Sequence, residues 1–290
     1  MKFGICYSYF QHNWDGDFDV YCKAIPMIAE LGFEVLEVGT TDLTAMTDMQ
    51  LQKLQSLSDE YKVALVAGGG MGKPHNVASS DESVRENGVR RLKSFLPVMQ
   101  KAGVRKLAGI YYGYWMYDYS EPVDKKSAWA QSVKSMREMA DAAADYNVSL
   151  NLEVVTRYEH FLLNTAEEAV RYVKEVDRPN VKILLDTFHM NIEEDSLDGA
   201  IRTAGCYLGH MHIGEANRRL PGKGRLPWRE IAQALKDIHY EGDVNMEPFV
   251  LNNCPVGDTL YLYHDLSEGA DDRKLAQDAS ESLKFVRSLF

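Results

Sequence analysis

The 290-residue chain is 45% hydrophobic and 26% charged, with a formal charge of −11 at pH 7. That apolar share supplies a full globular core, and the acidic balance argues against a nucleic-acid partner, which needs a basic face. Apolar runs are short and broken by charge, so no segment reads as a membrane span; the N-terminal MKFGICYSYF reads as a strand rather than a signal peptide, and the four scattered cysteines (Cys6, Cys22, Cys206, Cys254) as reduced thiols of a cytoplasmic protein.

Strand and helix signals then alternate along the chain. Phe3–Tyr9 reads as a strand and Asp17–Leu31 as a helix stopped by Gly32. FEVLEVG is a second strand, Asp48–Tyr61 a helix, and KVALVAG a third strand. Ser80–Ala102 is a long amphipathic helix closed by Gly103, and VRKLAGIYYG the fourth strand. Lys125–Tyr146 is the next helix and VSLNLEVV the fifth strand. Thr165 caps a helix running to Val176, with Glu168 as its expected capping-box partner. VKILLDT is the sixth strand, followed by a short helix from Asp195 or Ser196 to about Gly205. YLGHMHIG is the seventh strand, Pro227–His239 a helix, DVNMEPF the eighth strand, and Asp271–Leu289 a terminal helix.

Eight such units predict an α/β protein: a single (β/α)8 TIM barrel spanning residues 1–290 as one catalytic domain. The alternative is a doubly wound open sheet, for which no nucleotide fingerprint is present.

In a barrel the chemistry belongs at the C-terminal ends of the strands. There the fifth strand carries Glu153, the sixth Asp186, the seventh His212 and the eighth Glu247. A lone acid at a strand end more often caps a helix or turn. Four consecutive strands with ligand-type residues are another matter. Three clustered carboxylates repel one another unless a cation shares their charge. Oxygen donors with one imidazole suit Mn2+ or Co2+, with Mg2+ a further candidate. His210 competes with His212, because a regular strand points both to one face; the more C-terminal of the two is expected nearer the mouth.

His189 and Glu159 are expected in loops after the sixth and fifth strands, and Arg218 in the loop after the seventh. His189 and Arg218 are candidate polyol contacts. Aromatics including Trp14, Trp115, Tyr111, Tyr112 and Phe249 suggest an apolar wall that excludes water. GGGMGK (Gly68–Lys73) fails the Walker pattern, because Pro74 stands where Ser or Thr is required, and reads as a flexible loop. The basic RRLPGKGR (Arg218–Arg225) could cradle a phosphate, but Pro227 at the next helix start disfavours an amide nest.

EVVTRYEHFLLNTAEEAV, NVKILLDTFHMNIEEDS, AIRTAGCYLGHMHIGEANRRLPGKGR and MEPFV closely resemble the D-tagatose/D-allulose (psicose) 3-epimerase group of ketose 3-epimerases, within the xylose-isomerase-like barrels. GICYSYFQHNW and GYWMYDYSEPVDK extend the resemblance nearly end to end. It implies one divalent ion per chain and a free ketose substrate such as fructose/allulose, tagatose/sorbose or ribulose/xylulose. It also implies a homodimer or homotetramer. By resemblance Glu153, Asp186, His212 and Glu247 are metal ligands, and Glu153 and Glu247 also the acid/base pair. Glu159, His189 and Arg218 contact the O1–O2 end of the sugar; Trp115, Phe249 and Trp14 line the pocket. The chain departs from the family pattern at Cys6, where many members carry an aromatic near the far end of the sugar, and at Ile213, Tyr111 and Tyr112. These changes are expected at the O4–O6 half of the pocket. The rival readings are an aldose–ketose isomerase, an epimerase or isomerase of a phosphorylated ketose, a DNA-repair endonuclease and a non-catalytic sugar-binding barrel. Eight histidines and the acidic balance weigh against the endonuclease.

Overall fold

A strand buried on both faces reads as a nearly continuous apolar run, and the eight strands here are short and mostly apolar. In the computed structural model, which describes residues 1–14 and 16–290, they are β1 (Lys2–Cys6), β2 (Val35–Gly39), β3 (Ala64–Gly70), β4 (Lys106–Ile110), β5 (Ser149–Val154), β6 (Val181–Asp186), β7 (Leu208–Ile213) and β8 (Asp243–Met246). Each pairs in parallel with the next, and β8 pairs with β1 in the register Lys2↔Asp243, which closes the barrel. The helices are α1 (Phe18–Glu30), α2 (Thr40–Thr44), α3 (Asp48–Tyr61), α4 (Glu82–Lys101), α5 (Lys125–Asp145), α6 (Ala166–Val176), α7 (Thr187–Glu193), α8 (Leu197–Ala204), α9 (Trp228–Asp237), α10 (Pro255–Thr259) and α11 (Asp272–Arg287). No described helix is long and apolar enough to cross a membrane. Cys6, Cys22, Cys206 and Cys254 are free thiols.

Side chains alternate across each strand, and this alternation separates two cores. One parity, with Ile5, Leu36, Leu152, Leu185, Met211 and Val244, packs outward against the helices in the main core. The other parity points into the barrel. There Val35, Val66, Ala108 and Leu184 form a small separate cluster, and the polar groups of the same parity sit above and beside it.

Several predicted ends shift for identifiable reasons. The first strand stops at Cys6 because Tyr7–Phe10 coil into a 3-10 turn. The fourth stops at Ile110 and the eighth at Met246. α3 spans the expected residues, with Thr47 and Gln50 closing a capping box. Thr165 does cap α6 through the Glu168 N–H, but the expected reciprocal bond is absent. Glu168 instead accepts from Asn164 N–H and pairs with Lys125. The short helices α2, α7 and α10 have no counterpart among the predicted elements, and His189 sits in α7 rather than in a loop.

The glycine run is not a flexible loop either. Gly68, Gly69 and Gly70 are the last residues of β3. A Cβ on Gly68 would fall 2.2 Å from Glu37 Oε1, so a side chain there would displace the carboxylate. At Gly109 in β4, φ is +130° and a Cβ would meet Gly69 O at 1.9 Å, so two adjacent strands need glycine to pass each other.

Candidate active site

The open end of the barrel holds a cavity of about 300 Å³ at the C-terminal ends of the strands. Small-molecule sites typically occupy ~300–1,000 Å³. Cys6, Trp14, Trp115, Glu153, Glu159, His189, His212, Arg218, Glu247 and Phe249 all line it. Asp186, the remaining expected site residue, is fully buried just behind Arg218.

Strand parity places the ligand-type groups. His212 faces inward, one turn of pleat nearer the mouth than His210. Its Nδ1 lies 3.4 Å from Glu247 Oε1 and 3.8 Å from Glu153 Oε1. That nitrogen is buried and has no hydrogen-bond partner. Its Nε2 lies 3.0 Å from Glu37 Oε2, and the same oxygen is 3.1 Å from His210 Nε2 and accepts from Asn245 Nδ2 at 3.0 Å. His210 therefore sits one layer deeper, on Glu37, and away from the carboxylates of the mouth.

Asp186 uses its two oxygens differently. Oδ1 accepts from Phe188 N–H and caps α7. Oδ2 accepts from Arg218 Nη1 at 2.7 Å, and the same nitrogen donates to Glu247 Oε2 at 3.1 Å. A guanidinium thus bridges the two acids. The Arg218 side chain lies 3.8 Å over the Phe188 ring and 5.2 Å from that of Phe249. Its backbone adopts φ +65°, an uncommon conformation for a non-glycine residue. The loop that imposes it is pinned by Glu215, whose buried carboxylate accepts from Gly222 N–H, Leu226 N–H and Trp228 Nε1. RRLPGKGR is therefore a folded loop around a buried acid. Its charges Arg219 and Lys223 pair with Glu268 and Asp278 rather than opening a phosphate cradle.

Glu159 accepts from Trp115 Nε1 at 2.7 Å and lies 3.9 Å from His189 Nδ1. His189 also receives the Thr156 N–H. Trp14 meets Trp115 edge-on at 6.1 Å and Phe249 at 5.8 Å, forming an aromatic rim.

Electrostatics differ sharply between neighbours. Burial raises the Glu153 carboxyl above the usual carboxylate range, helped by the nearby Glu247 charge and opposed by His212. For Glu247 burial acts the same way, but His212 and Arg218 outweigh it and hold the group below that range. Burial opposes the charge of Glu37 too, yet His212 and His210 hold it low. Burial brings His189 down to about 3, so it is neutral at pH 7.

Some departures from the family pattern fall elsewhere than expected. Tyr111 and Tyr112 are buried and do not line the cavity: Tyr111 Oη bonds Thr40 Oγ1, and Tyr112 Oη donates to the Glu153 carbonyl. Ile213 has the parity opposite to His212 and packs outward among the helices. On the side of β1, β3 and β4 the cavity is lined instead by Cys6, Gly68–Gly70, Ala108 and Ile110. Two functional-looking groups were missed. Glu37 was visible as an acid inside the apolar run FEVLEVG, and Ile110 as the residue before the tyrosine pair.

The donor set fits a divalent ion of intermediate hardness. Glu153, His212 and Glu247 bring one ligand atom each within 4.8 Å of one another, and Glu153 and Asp186 do so with His189. The buried, unpartnered Nδ1 of His212 is costly as it stands. Its other nitrogen is held by a carboxylate, the usual arrangement behind a metal-binding histidine.

Comparison with known proteins agrees with this architecture. A family model described as xylose isomerase-like TIM barrel matches residues 25–289. The D-psicose 3-epimerase of Ruminiclostridium cellulolyticum is 44% identical over 99% of this chain and 97% of its own length. That of Agrobacterium fabrum is also 44% identical, over 99% and 98%. The crystal structure of D-psicose 3-epimerase with D-tagatose from Clostridium cellulolyticum superposes with a TM-score of 0.97 at 44% identity, covering 100% of this chain and 99% of that one. The chain belongs to the xylose isomerase-like TIM barrels and, within them, to the ketose 3-epimerases.

Proposed function

We propose that this chain is a metal-dependent epimerase of free ketoses at C3, with substrates of the fructose/allulose, tagatose/sorbose or ribulose/xylulose type. The observation that carries the reading is the Glu153–His212–Glu247 triangle around an unpartnered imidazole nitrogen, in the cavity of a ketose 3-epimerase barrel. Residues 1–290 act as one catalytic domain, since the barrel closes only when β1, at the start of the chain, pairs with β8.

Glu153, Asp186, His212 and Glu247 would hold Mn2+ or Co2+, with Mg2+ as a further candidate. The ion would supply Lewis-acid polarisation of the ketose C2 carbonyl. The residues do the rest. The C3 proton is acidified by the neighbouring carbonyl. One glutamate takes that proton, leaving a planar cis-enediolate, and the other gives a proton to C3 from the opposite face, which inverts the centre. Glu153 lies on β5 and Glu247 just past β8, with two strands between them, so they can flank a planar intermediate. Without the ion their environments differ, burial raising the Glu153 carboxyl while His212 and Arg218 hold that of Glu247 low; as ligands of the ion both would be carboxylates. Glu159, His189 and Arg218 orient the O1–O2 end of the sugar. Trp14, Trp115 and Phe249 shield the carbanionic carbon from water, and Cys6 belongs to the wall at the far end.

A phosphorylated substrate is disfavoured by the charges. Among the described residues lining the cavity, Arg218 is the one lysine or arginine, and two buried acids already engage it. Reaction in D2O tests the proton path and separates the isomerase reading. The product should carry solvent deuterium at C3 and none at C1. Label at C1 or C2, or none at all, would discard the two-glutamate mechanism.

A further inference from the structure

Cys6 and Glu37 have no part in the proton transfers just described beyond their place in the wall. They meet the edge of the His212 ring that faces away from Glu153 and Glu247. Cys6 Sγ lies 3.9 Å from His212 Nε2, and Glu37 Oε2 lies 3.0 Å from the same nitrogen. One ligand atom from each of the three residues lies within 4.8 Å of the others. All three are buried, yet all three border the cavity, so an ion can reach them from solvent.

The distances match soft-metal coordination. Bonds of about 2.3 Å to sulfur and about 2.0–2.1 Å to imidazole nitrogen span the observed S···N separation at an angle of about 125°. Bonds of about 2.0–2.1 Å to nitrogen and oxygen span the N···O separation at about 95°. Both angles belong to a distorted tetrahedron, and its fourth vertex can be water from the cavity. His210 Nε2 and Asn245 Nδ2 already hold the Glu37 carboxylate in place, as outer partners of a metal site do.

We propose that Cys6, Glu37 and His212 form a second metal site, selective for thiophilic divalent ions such as Zn2+ or Cd2+. The thiolate and imidazole select these ions over Mn2+ and Mg2+, which prefer oxygen donors. On binding, the thiol proton leaves to solvent as the metal–sulfur bond forms. Resting on the reading of His212 as a ligand of the catalytic ion, a second consequence follows. A neutral imidazole has one lone pair. With Nε2 bound to the thiophilic ion, Nδ1 carries the ring proton and is lost to Glu153 and Glu247. The two sites exclude each other through the tautomer of one histidine, and a thiophilic ion switches the enzyme off.

Titrating metal-free protein with Cd2+ while recording the near-ultraviolet cadmium–thiolate band tests the site without measuring turnover. The band should saturate at one ion per chain and vanish in Cys6→Ser. In Glu37→Gln the Cd2+ affinity should fall at least tenfold. The double variant Glu153→Gln/Glu247→Gln should keep the band, which separates this site from the proposed catalytic set. Cys6→Ala repeats the test if Cys6→Ser fails to fold, as judged by circular dichroism. A band of undiminished amplitude in folded Cys6→Ser or Cys6→Ala would place the cadmium on another thiol and overturn the proposal; so would the absence of any band in the wild type. In protein preloaded with Mn2+, Cd2+ should release free Mn2+, seen by electron paramagnetic resonance, one ion for each unit of band. Mn2+ retained while the full band forms would overturn the exclusion. Failure to take up any of Mn2+, Co2+ and Mg2+ would overturn the catalytic reading, while the cadmium band would still report on the Cys6 site.

Discussion

The inward positions of β5–β8 and those of β1–β4 face each other across one cavity, yet they carry different chemistry. The first half presents Asn151 and Glu153, Leu184 and Asp186, His210 and His212, Asn245 and, just past β8, Glu247. The second presents Gly4 and Cys6, Val35 and Glu37, Val66 and Gly68, Ala108 and Ile110. The charged half is braced from behind: Asp186 caps α7, and Arg218 bridges Asp186 and Glu247. The other half is small and mostly apolar. If it can change shape without disturbing the braced groups, reaction and sugar choice should be separable. Glu37 is the exception, reaching across from β2 to hold His212.

The largest effect should come from the charged half. Glu153→Gln and Glu247→Gln each keep the side-chain shape but remove the proton acceptor. Positioned acid–base groups contribute ~10²–10⁴-fold, so each variant should lose at least that in kcat for epimerisation. The double variant should lose little more, since groups acting as a unit are not additive. A near-normal rate in either single variant would remove the assigned roles.

Arg218 tests the bracing. Arg218→Met leaves two buried acids without their cation, and breaking a buried ion pair from one side costs ~3–5 kcal/mol. Metal-free Arg218→Met should melt well below the wild type, and Mn2+ should recover more stability for the variant than for the wild type. Equal melting temperatures without metal would mean that the guanidinium does not hold the acids together.

The parts of this contrast that were legible in the sequence are those with a strand-end address. Glu153, Asp186, His212 and Glu247 could be placed by counting β/α units, because an acid at the end of a buried strand is conspicuous. Glu37 was not, since in a strand buried on both faces an apolar pattern does not say which parity faces the barrel. The same ambiguity put Ile213 and the Tyr111–Tyr112 pair into the pocket and left Ile110 out; parity became visible only once the neighbouring strands fixed the register. Glu215 has no such address, because two of its three partners are backbone N–H groups, which leave no mark in the sequence.

Gly68 abuts Glu37, the one residue of β1–β4 that reaches across to His212. Gly68→Ala would press a methyl group against Glu37 Oε1. Overpacking of a tight site typically costs ~1–3 kcal/mol, read as a lower denaturation midpoint. Because Glu37 holds His212, Mn2+ affinity should fall with it in a titration. A stable variant with unaltered Mn2+ affinity would show that Glu37 has room to spare.

The smallest effect should be at Ile110, and it decides whether the two halves are separable. Ile110 lies on the cavity wall at the end of β4, the strand that pairs with β5, and its side chain is buried. Ile110→Ala removes apolar surface and leaves the Glu153, His212 and Glu247 side chains themselves unaltered. Small apolar changes in a pocket alter discrimination by about 1–3 kcal/mol. The ratio of kcat/KM between two ketoses that differ only at C4, such as D-fructose and D-tagatose, should therefore shift by roughly 10–200-fold at most. The variant should still place solvent deuterium at C3, and its Mn2+ affinity should match the wild type, because no residue of the braced half has moved. An equal loss for both sugars together with weaker Mn2+ binding would show that the apolar wall supports the catalytic groups after all, and the division between a reacting half and a selecting half would fail.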